Sequence, residues 1–185
     1  MVLAATALSV ERNDLHHCTG AGISLQVTRS VTLTNNLIHQ NGVGIAVHSD
    51  APVYLMHNTL AYNTSAGLTI SAPTSHITMT NSIAWENGIT ISHTVGASVT
   101  ASYSDIQGGW PGQGNIDVDP QFRHPGAGVF RLLETSPCID TASPSSTPPV
   151  DIMGIPRPEG DGYDMGAFEF FEYYSVYLPF VANKH

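Results

Sequence analysis

The stretch VTLTNNLIHQNGVGIAV (31–47) holds two runs of alternating apolar residues separated by Asn and Gly. Val31, Leu33 and Leu37 share one parity. After a turn at Asn41-Gly42, Val43, Ile45 and Val47 share another. Strict alternation indicates strands, because successive side chains of a strand point to opposite faces. A helix would need apolar positions at steps of three and four over ten or more residues, and Gly and Asn interrupt every unit before that length.

The same pattern recurs along the chain. Asn35, Asn58 and Asn81 are spaced by 23 residues, as are Leu37, Leu60, Ile83 and Ile106. Ile45, Leu68 and Ile91 keep that step, and so do Leu33, Met56 and Met79. NDLHHCTGAGISL (13–25) aligns without a gap on NNLIHQNGVGIAV (35–47) at a step of 22. A period of this size implies stacked supersecondary units. The repeated Leu pattern of leucine-rich repeats is absent. The remaining solution is a parallel β-solenoid, each coil stacking on the next at about 4.8 Å. Asn35, Asn58 and Asn81 then form an expected structural ladder, each amide donating to one neighbouring coil and accepting from the other.

On these residues the chain resembles right-handed parallel β-helix proteins, the pectate-lyase-like group. The resemblance covers roughly residues 8–107, about four to five coils. It implies an all-β, right-handed parallel β-helix in 1–107, followed by an irregular, loop-rich C-terminal cap in 108–170. It says little about activity, since one fold hosts many.

Composition narrows the partners. Charged residues make up 11% of the chain, the formal charge is −9, and Lys184 is the sole lysine. Nucleic acid binding needs clustered Lys and Arg and is not expected. Anionic membrane surfaces are disfavoured for the same reason. No segment approaches the ~20 apolar residues of a membrane span. Cys18 and Cys138 are read as separate free thiols. Leu8 and Val10 read as a first strand rather than as part of a cleaved leader. With no capping helix ahead of it, the first coil is expected to be an open edge. That suggests either the C-terminal part of a longer β-helix or self-association through the N-terminal coil.

Beyond Ile106 the period stops. The order YSDIQGG (103–109), GNIDVDPQF (114–122), SPCID (136–140) and DMGAFE (164–169) resembles the C-terminal module of bacterial choice-of-anchor surface proteins. That resemblance implies a secreted or cell-surface bacterial protein without an assigned chemistry. The segment 171–185, with VYLPFV (176–181), is similar to a terminal motif on exported proteins of filamentous green non-sulfur bacteria. It reads either as a sorting or attachment tail or as a last strand.

Four residues form the first candidate site: His17, His39, Tyr62 and Trp85, read as one column with one residue per coil. Exposed, they would make a platform for sugar rings. Their parity with Leu37, Leu60 and Ile83 instead favours an inward stack. His16, His17 and His39 show no carboxylate or thiol partner at ligand spacing, so polar or stacking roles are preferred to metal binding. A glycosidase needs two carboxylates facing one bond, and no such pair is visible. Asp14 and Asp105 share a column but stand four coils apart, about 19 Å. A polysaccharide lyase needs a base and a cation beside the uronate, and the coils offer only Arg12 and Arg29. Asp117 and Asp119 are weak calcium candidates in Gly- and Pro-rich loops, with turn capping preferred. Arg157 is expected to pair with Asp140 or Asp164. No cofactor other than calcium is suggested.

The preferred expectation is therefore a non-catalytic β-helix that binds carbohydrate or a surface. The rivals are a polysaccharide lyase or glycosidase whose catalytic coils are missing or degenerate, and a structural spacer.

Overall fold

A computed structural model describes residues 8–145 and 147–171. The expectations for 1–7 and for nearly all of the 171–185 tail fall outside those residues. The first coil contributes β1 (Leu8–Glu11), β2 (Asp14–His16) and β3 (Ala21–Leu25). The second contributes β4 (Val31–Thr34), β5 (Leu37–His39) and β6 (Val43–Val47). The third contributes β7 (Val53–Met56), β8 (Thr59–Ala61) and β9 (Ala66–Ile70). The fourth contributes β10 (His76–Thr80), β11 (Ile83–Trp85) and β12 (Ile91–His93), and β13 (Ser98–Ser102) and β14 (Asp105–Ile106) begin a fifth. Like strands of successive coils pair in parallel, giving three sheets ordered β1-β4-β7-β10-β13, β14-β11-β8-β5-β2 and β12-β9-β6-β3. A parallel β-solenoid is what the alternation and the repeat predict.

The period is not constant. Leu33 pairs with Leu55 and Leu55 with Met79, so the step is 22 and then 24. Met56 therefore lies outside the Leu33–Met79 column. Ile38, Leu60, Ala84 and Ile106 form one column, while Leu37, Thr59, Ile83 and Asp105 form the next. The Ile45–Leu68–Ile91 column stands as predicted. A one-residue slip exchanges the faces of a strand. Leu60 thus points into the solenoid while Leu37 and Ile83 point out of it.

The Asn ladder exists, but on other residues. Asn36 Nδ2 donates to Asn58 Oδ1 at 2.9 Å, and Asn13 Nδ2 to Asn36 Oδ1 at 3.0 Å. The row runs on through backbone N–H groups: Asn58 to Ser82 Oγ, Ser82 to Ser104 Oγ, Ser104 to Asn115 Oδ1. A second ladder joins Asn41, Asn63 and Asn87, with amide contacts of 3.2 and 2.9 Å. Of the three predicted ladder residues, only Asn58 belongs. Asn35 and Asn81 sit one position earlier, at φ 54 and 53, with His57 at φ 51 between them.

Two apolar clusters result. The first fills the solenoid with Leu33, Ile45, Leu55, Leu68, Met79 and their neighbours. The second lies outside the β2–β14 sheet, where Leu37, Ala61 and Ile83 meet Phe122, Phe130, Leu132, Cys138, Met165 and Phe168 of the C-terminal segment. That segment opens with an antiparallel pair, β15 (Phe122–His124) and β16 (Val129–Leu132), joined by a turn at Pro125–Ala127. DMGAFE (164–169) then presses on the sheet. At Gly166 (φ +89) a Cβ would stand 2.7 Å from Ile83 Cδ1, so the approach requires glycine.

The position between β4 and β5, β7 and β8, and β10 and β11 is where the segment is fastened. Asn35 Nδ2 donates to the Val150 carbonyl, His57 Nδ1 to the Asp164 carbonyl, and Asn81 Nδ2 to the Ser143 carbonyl. Arg157 pairs with Glu169, not with Asp140 or Asp164, and both side chains are fully buried. Asp164 Oδ1 accepts from the Asp140 N–H instead. β1, β2 and β3 are the edge strands of their sheets, with Leu8 49% exposed.

Candidate functional site

The expected aromatic column divides. His16, His39, Ala61 and Trp85 form one row. His17 and Tyr62 fall at the next position, which bends at φ 59 and 56. His39 and Trp85 face outward, against the inward expectation, because they share parity with Leu37 and Ile83 and not with Leu60. The C-terminal segment then covers much of this face. Phe130 lies 4.6 Å from the His39 ring and 5.8 Å from Tyr62, and Tyr62 and Trp85 pack on the second cluster. The four residues do not form one open platform.

Two other places collect side chains able to hold a ligand. The first is a groove of about 400 Å³ on the outer face of the β1–β13 sheet. Tyr54, Met56, Thr78, Thr80, Ser102 and Tyr103 line it, with His57, Asn81, Ser143 and Ser145 along one wall. Alternation produces this lining: Val53, Leu55, Ile77 and Met79 turn inward, so Tyr54, Met56, Thr78 and Thr80 turn outward. The Tyr54 side is the open one, at 41% exposure. Tyr103 presents its hydroxyl to Gln113 Nε2 at 2.8 Å, which fixes the ring. Three stacked coils make the groove about 10 Å wide at the interstrand spacing. Sequence reasoning missed these residues. The signal was present in Tyr54, an aromatic residue at polar parity between Val53 and Leu55.

The second place is a cavity of about 340 Å³ at the first two coils, lined by Asp14, His16, His17, His39, Gln40 and the 126–128 turn. His39 is only 3% exposed. Its Nε2 lies 3.0 Å from Asp14 Oδ1 and its Nδ1 lies 3.1 Å from Gln40 Oε1. Burial lowers the His39 pKa, with Asp14 partly offsetting that effect. His16 stacks on His39 with ring centroids 5.0 Å apart, and His16 Nδ1 is 2.6 Å from His17 Nδ1. A carboxylate does therefore stand beside the histidines, contrary to the sequence reading. Asp14 pairs across coils, which a scan for partners within one segment overlooks.

The calcium candidates are occupied as turn acceptors. Asp117 Oδ1 accepts from the Gly108 N–H at 3.1 Å and Asp119 Oδ1 from the Gln121 N–H at 2.8 Å. Asp105, on the column of Asp14, is buried under the C-terminal segment and accepts from the Val118 N–H and the Cys138 thiol.

A family model described as a right handed beta helix region matches residues 1–119. The chain belongs to the right-handed β-helix family. No curated protein and no solved structure gives a match. Membership of the β-helix family accounts for the coils and for the ladders at their bends; it assigns no ligand. Among the described residues no helix is long and apolar enough to cross a membrane.

Proposed function

We propose that this β-helix is a non-catalytic module of an exported bacterial surface protein, and that it binds a neutral polysaccharide in the Tyr54–Tyr103 groove. The observation that carries this reading is the chemistry of the lining. Tyr rings and a Met side chain offer apolar surface to a sugar ring, and Thr78, Thr80 and Ser102 offer hydroxyl groups to its hydroxyls. Such a set suits an uncharged, hydroxylated polymer lying across the strands. A binding site of this type needs a few polar groups on a largely preformed apolar surface. The low share of charged residues and the −9 formal charge fit an exported protein that does not grip polyanions.

The test is affinity electrophoresis of the full chain through gels containing neutral glucans, xylans or mannans, beside Tyr54→Ala and Tyr103→Ala. Retarded wild-type migration that is lost in Tyr54→Ala is the expected result. Tyr54 is exposed, so its truncation leaves the core intact. Wild-type migration unaffected by every neutral polymer would overturn the reading. A fall in the viscosity of a neutral polymer during incubation would establish the glycosidase alternative instead, and a fall in that of a polyuronate the lyase alternative.

A further inference from the structure

The second cavity carries an inference independent of the groove. One donor atom from each of Asp14, His16 and His39 lies within 4.8 Å of the others. Two coils assemble this set through register alone: His16 and His39 are Cα partners in adjacent strands, and Asp14 precedes His16 by two on the same outward face. We propose that Asp14, His16 and His39 bind a divalent late first-row transition cation, with zinc as the reference ion.

The donor chemistry selects the ion. Two imidazoles and one carboxylate suit zinc, nickel, copper or cobalt, whereas calcium and magnesium prefer all-oxygen shells. Geometry is close to what a metal asks. Bonds of about 2.0–2.1 Å in a tetrahedral shell put donors about 3.3 Å apart. Asp14 Oδ1 and His39 Nε2 already stand 3.0 Å apart. His16 is exposed, so a small rotation of its side chain closes the remaining distance. The buried ligand is also oriented from behind. Gln40 Oε1 stands on His39 Nδ1, the arrangement in which a ligating imidazole donates its other N–H to an oxygen. Phe130 packs on the same ring and limits its rotation.

No lysine or arginine lines the cavity, so the Asp14 carboxylate has only imidazoles as cationic partners there. Three protein ligands leave a coordination position facing the cavity, where water, the neighbouring His17 or a ligand oxygen would complete the shell. His17 contacts His16 directly, and the 126–128 turn forms the opposite wall. The C-terminal segment therefore helps to build the site as well as to cover the sheet.

The experiment uses the full chain, stripped with chelator, titrated with Zn²⁺ by calorimetry and with Co²⁺ by visible absorption. One equivalent of zinc should bind. Co²⁺ should give an intense four- or five-coordinate band that zinc abolishes. Asp14→Asn and His16→Ala should each weaken zinc binding by about 100-fold, and Gln40→Ala by about 10-fold. His48→Ala, just after β6, and His76→Ala, in β10, should change nothing. Both ligand substitutions are at exposed positions, and equal melting with chelator confirms that the variants fold. Zinc binding no tighter than millimolar would overturn the proposal. So would a pale six-coordinate cobalt spectrum, or zinc affinity unchanged in both ligand variants.

Discussion

Asn81 holds Ser143 by both ends of its backbone: Asn81 Oδ1 accepts from the Ser143 N–H at 2.9 Å, and Asn81 Nδ2 donates to the Ser143 carbonyl at 2.8 Å. The same Nδ2 reaches His57 Nε2 at 2.9 Å. Asn81→Ala leaves the buried Ser143 N–H without its acceptor, while the Ser143 carbonyl keeps Thr147 Oγ1 at 2.8 Å and His57 Nε2 keeps the same hydroxyl at 3.3 Å. An orphaned buried polar group costs about 1–3 kcal/mol. The expected loss is about 1–3 kcal/mol of unfolding free energy, measured by urea titration. A loss below about 0.5 kcal/mol would show that the C-terminal segment is not fastened there.

The Arg157–Glu169 pair is the central clip of that segment. Arg157 also donates to the Gly166 carbonyl at 2.9 Å and to Asn35 Oδ1 at 3.3 Å. Removing one member of a buried pair strands the other charge, at a cost of about 3–5 kcal/mol. Glu169→Gln should therefore destabilise the chain by that order. Replacing both with apolar residues should recover only part of the loss, because the Gly166 carbonyl and Asn35 Oδ1 would still lose their donor, a comparison that thermal melting reads directly.

Stability should respond to pH from two opposed sources. Burial, then the Arg157 charge, hold the His57 pKa well below 6.5. Neutral His57 donates from Nδ1 to Asp164 and accepts at Nε2 from Asn81. With its folded pKa depressed, the unfolded state takes up the proton first. This contribution is fully present above about pH 6.5 and is lost as pH falls. Asp105 has the opposite sign. Burial raises its pKa to about 7, with Asp117 and Asp119 adding to the rise and the Val118 N–H and Cys138 thiol opposing it. The folded state then holds the proton more tightly, so stability declines as pH rises from about 4 to about 7. Asp164, raised to about 7 by burial and Glu169, acts in the same window. Asp105→Asn should flatten, but not abolish, the decline in stability between about pH 4 and about pH 7. His57→Gln should flatten the fall on the acid side. An unchanged profile in both variants would contradict these assignments.

The two thiols should react at different times. Cys18 is exposed, while Cys138 is buried and donates to Asp105 Oδ2 at 3.3 Å. Burial and the adjacent Asp105 push the Cys138 thiol up, keeping it protonated. A disulfide-exchange reagent at pH 8 should titrate one thiol promptly and the second only as the chain unfolds. Simultaneous reaction of both would place Cys138 at the surface.

Gly44 stands where two coils meet. A Cβ there would lie 2.4 Å from the Gly67 carbonyl oxygen and 3.0 Å from Asn63 Nδ2. The obstacle is backbone in a neighbouring strand, which cannot rotate away. Gly44→Val should destabilise by about 1–3 kcal/mol or more through overpacking and disruption of the Asn63 ladder. Circular dichroism melts would show it.

The amino-acid sequence alone determined the coil. Alternation in 31–47, Asn and Gly at the bends, and the near-23-residue repeat are local properties, and they specify stacked parallel strands whatever the rest of the chain does. Only the tertiary structure decided which residues stack. Steps of 22 and 24 alternate with 23, so a fixed period exchanges Leu60 for Thr59 and Asn58 for His57. It also decided which outer face is covered, because the C-terminal segment docks through contacts more than 100 residues apart, such as Arg157 with Asn35. Neither register nor docking has a local signature: both depend on how bends and loops of unequal length are accommodated when the coils pack. For that reason Tyr54, Tyr103, Asp14 and His16 emerge as candidate site residues only in three dimensions, while Tyr62 and Trp85 become partly buried against the second cluster.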